Sequence, residues 1–201
     1  MLSDESLISL SESLSSEKSY QQCCFLADQD PVRFWAALGN HYLDWDRPFE
    51  TSMLPVDSGS PQLHWFDGGK LNLTTNCLDR HLASGNGDQQ ALIWEGDDGS
   101  QRIFSYWEML EQVCAVSHAL HAMGLGQGDV VAIYMPLLPE AIFAVLACNR
   151  IGVIPCPLYS GLSGQALAVR LHQLGAQLLI TVNNTVRNNE VIPLRPKVML
   201  T

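Results

Sequence analysis

The feature that most constrains the fold is a series of apolar segments in the second half of the chain. Residues 130–134 read Val-Val-Ala-Ile-Tyr, a continuous apolar run with no polar residue in alternation. Such runs are typical of parallel strands that are covered on both faces. Residues 153–158 and 178–182 predict two more strands, and helix-like segments separate the three. The sequence therefore predicts an α/β fold, in which helices cover a parallel sheet whose strands are joined by right-handed crossovers.

Helix signals bracket these strands. Ser105 and Glu108 match a capping box, and apolar residues then recur at helical spacing as one stripe. Residues 139–151 and 163–174 predict two further helices, the first opened by proline and the second by a serine cap. Glycines stand where these helices should end: Gly124, Gly152 and Gly175. Helix and strand therefore alternate from residue 105 onward.

Two local signals refine this picture. Pro155 and Pro157 interrupt the second strand, which makes it short or places it near a sheet edge, because proline has no N–H for the ladder. Residues 91–104 place β-formers on both sides of a polar, glycine-rich turn. That pattern predicts an antiparallel hairpin before the first helix.

The first part of the chain has a different composition. Residues 1–19 are rich in serine and acidic residues with weak helical periodicity, and we expect a disordered leader. The sequence that follows is rich in aromatic residues and interrupted by proline, which is typical of irregular segments that wrap a larger body. A short helix can begin after Asp30, with Pro31 at its first position. We therefore expect three parts: a leader (1–19), a cap (20–85) and a sheet-forming segment (86–201).

Charge and hydropathy exclude several classes of function. With 21 acidic and 11 basic residues the formal net charge is -10, so we expect no nucleic-acid partner and no anionic lipid surface. No segment approaches the ~20 consecutive apolar residues of a membrane helix. The start of the chain lacks the basic and apolar blocks of a secretory signal. We therefore expect a cytoplasmic protein that does not associate with a membrane.

The cysteines and histidines do not indicate a metal centre. The six cysteines include no C-x-x-C pair, and a chain of this size and apolar content needs no disulfides, so we expect reduced core thiols. His118 and His121 lie three residues apart on a predicted helix, a spacing compatible with two metal ligands. No neighbouring cluster completes a coordination shell, and we expect no metal.

No complete catalytic motif is present in the sequence. Gly124, Gly126 and Gly128 superficially match a dinucleotide-binding loop, but they follow a helix and precede a strand. That order is the reverse of the one that brings a helix N-terminus to phosphate, so we interpret them as a helix end and a turn. The sequence also lacks a G-x-x-x-x-G-K-[ST] loop and a G-x-S-x-G elbow. No residue is therefore predicted to be catalytic.

The turn at residues 158–163 is a candidate binding site, because it joins the carboxyl end of a buried strand to a helix. Ligands of open α/β sheets bind at that edge. Gly161 would let a ligand approach the backbone, Tyr159 offers an aromatic face, and Ser160 and Ser163 offer hydroxyl groups. The alternative is an ordinary strand-to-helix turn with a serine cap.

A second candidate is the polar segment 183–190, which follows the next predicted strand. Arg187 is its only cation, and an arginine at the mouth of a parallel sheet can bind a phosphate or stack on a purine. Taken alone, the composition favours a solvated loop.

Many separate motifs resemble those of the acetyl-CoA synthetase (acetate–CoA ligase) family, in order along residues 20–195. In the cap they are Asp30-Pro31, Phe34-Trp35, Asp44-Trp45, Pro48-Phe49, Trp65-Phe66, Leu71-Asn72 and residues 76–82. In the sheet-forming segment they are residues 93–98, 128–136, 139–141, 146–148 and 150–152. The resemblance implies the N-terminal cap and the beginning of the AMP-binding domain of an adenylate-forming enzyme.

Enzymes of that family activate acetate with ATP and magnesium to an acetyl-adenylate, release pyrophosphate, and pass the acetyl group to coenzyme A with release of AMP. Acetate, ATP and coenzyme A are therefore the small molecules that the resemblance implies. The family's phosphate loop and C-terminal catalytic domain would lie after Thr201. We accordingly expect a truncated, N-terminal part of such a ligase, inactive alone.

The resemblance also implies part of a coenzyme A site within these residues. Tyr159 matches the family's aromatic residue, Gly161 its second glycine and Arg187 the first arginine of an Arg-x-x-Arg pair. Ser160 replaces the first glycine, and Glu190 replaces the second arginine with a charge of the same sign as the nucleotide's 3′-phosphate. We expect both departures to weaken coenzyme A binding.

Two other functions fit the same residues. One is a non-catalytic remnant, or a module that docks to a separate C-terminal half through the exposed edge of its sheet. The other keeps the enzyme class but places the chain on the propionyl-CoA synthetase branch. Residues 94–98 look more like the acetate branch.

Overall fold

The computed structural model describes residues 3–12, 16–55, 62–187 and 190–199. The chain divides into two compact units, Met1–Asn72 and Leu73–Thr201. The sequence places the boundary later, at residue 85. The structure instead gives residues 73–85 to the second unit, because Leu78 is buried in that unit's core and the Thr74 hydroxyl donates a 2.7 Å hydrogen bond to Leu146 O.

The first unit contains three helices and a short hairpin. Its elements are α1 (Asp4–Glu12), α2 (Glu17–Gln29), α3 (Pro31–Tyr42), and the antiparallel strands β1 (Thr51–Pro55) and β2 (Leu63–Asp67). The helix predicted after Asp30 is confirmed as α3. The Asp30 carboxylate accepts a hydrogen bond from Arg33 N at 3.1 Å and so caps the helix that Pro31 opens.

Residues at the start of the chain differ from the disordered leader that the sequence predicts for 1–19. The structure describes helix α1 there, and Leu7 is buried with Cys23, Phe34 and Ala37. The weak periodicity is sufficient because the apolar side chain of Leu7 packs against two other helices. Residues 1–2 and 13–15 lie outside the described part of the chain.

Three aromatic residues of the first unit pack as anchors on a more regular backbone than the sequence suggests, while others, such as Tyr20 and Phe25, are exposed. Trp45, Phe49 and Phe66 form a cluster with ring centroids 5.1–5.5 Å apart. The Trp45 indole N–H also donates a 2.9 Å hydrogen bond to Gly39 O on α3. The cluster therefore ties the segment after α3 back onto that helix.

The second unit carries the predicted alternation. Its first elements are a π-helical turn (Thr75–Asp79), α4 (Arg80–Ala83), the hairpin strands β3 (Gln90–Glu95) and β4 (Gln101–Ser105), and α5 (Tyr106–Ala122). They are followed by β5 (Val130–Tyr134), α6 (Pro139–Arg150), β6 (Ile154–Leu158), α7 (Gly164–Leu174) and β7 (Leu178–Thr181). The last are the hairpin strands β8 (Asn184–Arg187) and β9 (Glu190–Pro193), and α8 (Arg195–Val198).

The parallel sheet has the strand order β6-β5-β7, with Ala132 opposite both Cys156 and Leu179. Val131 and Ile133 face the larger core, which α5 and α6 complete. Tyr134 faces a smaller cluster on the other side, together with Leu167 and Leu194. The central strand is therefore covered on both faces, which explains its continuous apolar sequence and confirms the predicted α/β fold.

The prolines of β6 do not interrupt the backbone hydrogen bonds between β6 and β5. Ile154 N–H donates to Asp129 O at 2.8 Å, so the alternate amides of β6 face β5. Pro155 and Pro157 occupy the positions between them, which face away from β5. β6 is an edge strand of the described sheet, as predicted.

Local stop and start signals also have the predicted geometry. The capping box of Ser105 and Glu108 is present at the start of α5. The glycines that end the helices adopt positive φ, with values of 87° for Gly124, 76° for Gly152 and 59° for Gly175. These positions favour glycine because a side chain is disfavoured at such angles.

Candidate functional site

The candidate site lies at the carboxyl edge of the parallel sheet, where the chain leaves β5, β6 and β7. Strand β3, which is not part of this sheet, contacts the loop after β5. The Trp94 indole N–H donates a 2.7 Å hydrogen bond to Leu137 O in that loop. The Arg102 guanidinium contacts the Glu140 carboxylate at 2.7 Å and anchors the start of α6. The β3–β4 hairpin therefore fixes one side of this edge.

The turn after β6 brings two of the predicted site residues together. Tyr159 is 64% exposed, and its ring folds over Gly161. A Cβ atom built on Gly161 would lie 2.5 Å from the Cζ and 2.7 Å from the Oη of Tyr159. Glycine allows the exposed Tyr159 ring to fold over the turn, whereas a side chain at this position would displace the ring.

The same turn also contains the serine cap that the sequence offers as the alternative reading. Ser163 Oγ accepts a hydrogen bond from Ala166 N at 3.2 Å and begins α7. Leu162 N–H donates to Tyr159 O at 3.1 Å, which closes the turn. The cap is confirmed, and it does not conflict with a binding role for the exposed aromatic ring.

One residue at this edge is not identified from the sequence. Tyr134 ends β5, and its Oη lies 2.9 Å from Ser160 O and 2.9 Å from Leu162 O. Burial raises the pKa of the Tyr134 hydroxyl, so the group stays protonated and can donate. The available signal is a tyrosine at the carboxyl end of an otherwise aliphatic strand, because a buried tyrosine hydroxyl needs a partner.

Arg187 lies on a different element, the hairpin of β8 and β9 that follows β7. A solvated loop, which the sequence favours for residues 183–190, is wrong: Thr185 pairs with Ile192, and Val186 pairs with Val191. All four of these residues are β-branched, and their two cross-strand pairs stabilise the ladder. The Arg187 backbone pairs with that of Glu190, and residues 188–189 lie outside the described part of the chain.

The turn therefore brings Tyr159 and Gly161 together, while Arg187 lies on the hairpin of β8 and β9. The hairpin starts from the same edge of the sheet, because Asn183 O accepts hydrogen bonds from Leu194 N (3.0 Å) and Arg195 N (3.1 Å) directly after β7. A shared coenzyme A site for Tyr159, Gly161 and Arg187 stays a prediction.

The described part of the chain holds no cluster of metal ligands, and its cysteines differ in burial. Among the described residues, no group of three or more His, Cys, Asp or Glu side chains is placed to hold a metal ion. Cys23 and Cys148 are buried, and burial raises the pKa of Cys148 to about 11. The prediction of core thiols is wrong for three other cysteines, which are exposed: Cys24, Cys77 and Cys114.

Family models match both units of the chain. The model of the AMP-binding enzymes matches residues 79–200. The model of the acetyl-coenzyme A synthetase N-terminus matches residues 20–77. The chain therefore belongs to the AMP-binding enzymes.

Within that class, it corresponds to the N-terminal region of the acetyl-CoA synthetases. The acetyl-coenzyme A synthetase of Thiobacillus denitrificans is 40% identical over 178 residues, which are 89% of this chain and 27% of the relative. That of Vibrio cholerae is 42% identical over 172 residues, or 85% of this chain and 26% of the relative. The chain thus spans about a quarter of the length of these relatives. The family resemblance stated above is confirmed.

A solved structure supports the fold. The acetoacetyl-CoA synthetase from Streptomyces lividans has a TM-score of 0.75 and 22% sequence identity, over 85% of this chain and 26% of that chain. At this identity the likeness concerns the fold alone. In the described part of this chain, no helix combines the length and apolar character that crossing a membrane requires.

Proposed function

We propose that these residues form the N-terminal cap and the opening strands of the adenylating domain of an acetyl-CoA synthetase-like ligase. Such a ligase joins acetate to coenzyme A and converts ATP to AMP and pyrophosphate. The observation that carries the proposal is the adjacency of two family matches, the synthetase N-terminus at 20–77 and the AMP-binding enzymes at 79–200. Identities of 40–42% to acetyl-coenzyme A synthetases favour acetate over propionate as the acid.

Under this proposal, residues 1–201 alone do not catalyse the ligase reaction. Phosphoryl-transfer chemistry needs preorganised cations and amides around a triphosphate and its Mg²⁺. The phosphate loop of this family is rich in Ser, Thr and Gly and ends in Lys-Gly, and the sequence contains no Lys-Gly pair. MgATP would therefore be bound by residues that these 201 do not include.

The test is pyrophosphate release from acetate, ATP, Mg²⁺ and coenzyme A by the purified 201-residue chain. An intact acetyl-coenzyme A synthetase at the same molar concentration is the positive control. We expect no release above the rate without protein. Steady pyrophosphate release by the 201 residues would contradict the proposal that other residues bind MgATP.

Within the ligase, Tyr159, Gly161 and Arg187 would contact coenzyme A. The exposed Tyr159 ring at the carboxyl edge of the sheet supports this role, since an aromatic face there can stack on a purine. Glu190 opposes it, because a carboxylate ~4–6 Å from a phosphate costs on the order of 1 kcal/mol even when well solvated. Coenzyme A binding by this chain is therefore expected to be weak.

The variant Glu190→Arg tests the coenzyme site. Removing the like charge and adding a charge-assisted hydrogen bond should tighten coenzyme A binding about tenfold, as measured by titration calorimetry. Binding of dephospho-coenzyme A, which lacks the 3′-phosphate, should not change. Glu111→Arg on the exposed surface of α5 makes the same change in net charge and is the matched control. Equal tightening in both variants would assign the effect to net charge alone.

A second function is favoured by the two edges of the parallel sheet. The outward positions of β6 are Pro155 and Pro157, whereas the outward amides of β7 belong to Leu178 and Ile180. β7 therefore keeps donors for a further strand, and β6 does not. We propose that a separately encoded C-terminal half docks by adding a strand to β7.

Co-expression tests docking. The 201-residue chain is produced with the part of an acetyl-coenzyme A synthetase that follows the matched region. Co-purification and restored pyrophosphate release support docking, and Ile180→Pro should abolish both while Cys156→Ser on β6 should not. Two chains that purify separately in every case would overturn it.

A further inference from the structure

Tyr134 combines complete burial with a polar contact to the candidate turn. Its side chain is 0% exposed and heads the largest fully buried side chains among the described residues. The ring packs with Leu167 and Leu194. The hydroxyl reaches past this cluster to the two carbonyl groups that flank Gly161 in sequence.

The geometry of these contacts fixes two peptide planes of the turn. Ser160 O and Leu162 O both point toward the Tyr134 hydroxyl, each at 2.9 Å from its oxygen. In a trans peptide, the N–H of the next residue points opposite to the carbonyl group. The amides of Gly161 and Ser163 are therefore directed away from Tyr134. Within the described part of the chain, neither amide donates a hydrogen bond.

We propose that Tyr134 is a positioning residue for the coenzyme turn. Its single hydroxyl hydrogen, shared between the carbonyl groups of Ser160 and Leu162, holds both inward and so presents the Gly161 and Ser163 amides to the phosphate or amide oxygens of coenzyme A. This inference rests on the proposed function, because it assumes that the turn binds coenzyme A. It adds a residue on the central strand to a site otherwise made of loop residues.

A purely structural role for Tyr134 makes a different prediction. Filling the cluster with Leu167 and Leu194 requires the ring but not the hydroxyl. A phenylalanine would keep the ring and its packing, while it leaves the Ser160 and Leu162 carbonyl groups without this donor. Tyr134→Phe therefore separates packing from positioning.

The first measurement is amide hydrogen exchange of the turn by NMR in the 201-residue chain. We expect Tyr134→Phe to speed exchange at Leu162, whose N–H bonds Tyr159 O, about five- to tenfold, the loss of one hydrogen bond. Tyr106→Phe is the matched control, since Tyr106 stacks on His81 at the start of α5. The control should leave Leu162 unchanged.

The second measurement is the Kd for coenzyme A, by titration calorimetry or NMR shift. Tyr134→Phe should raise the Kd about tenfold, while Tyr106→Phe leaves it unchanged. Replacement of Tyr134 by para-aminophenylalanine restores a donor at the same place and should recover most of the affinity. This rescue distinguishes orientation by the hydroxyl from a change in packing.

The outcomes separate the inference from the function on which it rests. If the wild-type chain and Glu190→Arg both fail to bind coenzyme A, the proposed coenzyme site is wrong. Faster amide exchange in Tyr134→Phe then still supports the positioning of the turn by the Tyr134 hydroxyl. Unchanged exchange overturns that positioning role. If coenzyme A binds the wild-type chain and Tyr134→Phe equally well, the coenzyme site stands and the positioning role is overturned.

Discussion

The side chains inside each of the two units pack in a different way. In the second unit, one strand buries side chains on both of its faces, so that the apolar contacts form layers above and below a sheet. In the first unit, the three helices share a small cluster, and an interlock of aromatic rings with glycines ties the following segment to α3. The layered unit depends on burial, whereas the interlocked unit depends on close fit at a few backbone positions.

The glycines show this difference most directly. A Cβ atom built on Gly39 would lie 2.8 Å from Phe66 Cε1, and one on Gly69 would lie 2.6 Å from Trp45 Cζ3. In the second unit, Gly126 has no such neighbour within 4 Å, and the glycines that end helices serve positive φ instead. Gly39 and Gly69 therefore make room for rings within the first unit, whereas Gly124, Gly152 and Gly175 allow backbone turns in the second. Gly87 and Gly161 of the second unit also lie beside rings, but those rings, Trp107 and Tyr159, are exposed and lie outside the layered core.

The largest effect is expected from a change in the layered core. Phe143 is 3% exposed and packs edge-to-face against Phe104, with ring centroids 5.2 Å apart. Phe143→Ala should destabilise the second unit by about 3–5 kcal/mol, because it removes a large buried ring and leaves a cavity. Urea unfolding measures the loss of unfolding free energy. Hydrogen exchange of peptides from each unit shows which unit is destabilised.

The control is Leu137→Ala, because Leu137 lies in the loop before α6 and is 93% exposed. It should change the free energy of unfolding by less than about 0.5 kcal/mol. Similar losses in the two variants would show that the second unit does not depend on its layered core.

The next effect tests the interlock of the first unit. Gly39 lies inside α3, where alanine normally stabilises a helix by about 1 kcal/mol relative to glycine. Because the added Cβ would press on Phe66, Gly39→Ala should instead destabilise the unit by about 1–3 kcal/mol. Near-UV circular dichroism during thermal unfolding reports the change, and Gly126→Ala, which has open space, is the control. A gain in stability would break the proposed contrast between the units.

Much of the second unit is predictable because its signals are local. The Ser105 cap, the prolines of β6 and the glycines that end helices each act within a few residues, so the helices and the parallel strands lie close to their predicted positions. The hairpin of β8 and β9 is missed for the opposite reason. A short polar segment becomes a strand only when its antiparallel partner is present, and composition does not identify that partner.

The candidate site likewise has one part that local sequence predicts and another that depends on contacts between distant residues. The turn at Tyr159 and Gly161 is recognisable because it directly follows a predicted strand. The role of Tyr134 is hidden, since its hydroxyl contacts residues 26 and 28 positions away in sequence. The early boundary of the second unit depends on Leu78 and Thr74, whose partners likewise lie far along the chain. Contacts of this kind follow from the assembled fold and not from local periodicity.

A smaller effect is expected at a bridge inside the second unit. Asp79 accepts two hydrogen bonds from the Arg150 guanidinium, at 2.8 and 2.9 Å. The side-chain hydrogen bond from Arg150 holds the pKa of the Asp79 carboxyl below its usual value. Both side chains are about a third exposed, so Asp79→Asn should cost only about 1–2 kcal/mol at neutral pH.

The pH dependence of this bridge has a defined sign. Because the folded pKa of Asp79 is lowered, the bridge stabilises fully above the unfolded pKa of about 4 and loses its effect as pH falls through the folded value. The difference in unfolding free energy between wild type and Asp79→Asn should therefore shrink as pH falls below about 4, and be smaller at pH 3 than at pH 7. Urea unfolding at pH 7 and pH 3 measures it, with Asp88→Asn on the surface as control. A difference that persists unchanged in acid would exclude the ion pair as its cause.

The smallest effect concerns the cap of α7, where the fold and the candidate site meet. Ser163→Ala removes the acceptor for Ala166 N and should destabilise the start of the helix by about 1 kcal/mol. Ser163→Asp keeps a capping oxygen and adds a charge that the helix N-terminus favours, so its stability should match that of the wild type. Local hydrogen exchange at the first turn of α7 distinguishes the two variants. If alanine and aspartate protect that turn equally well, the serine is not needed as a cap. The stability of the turn would then depend on the Tyr134 hydroxyl and on the hydrogen bond from Leu162 N–H to Tyr159 O, and not on the cap of α7.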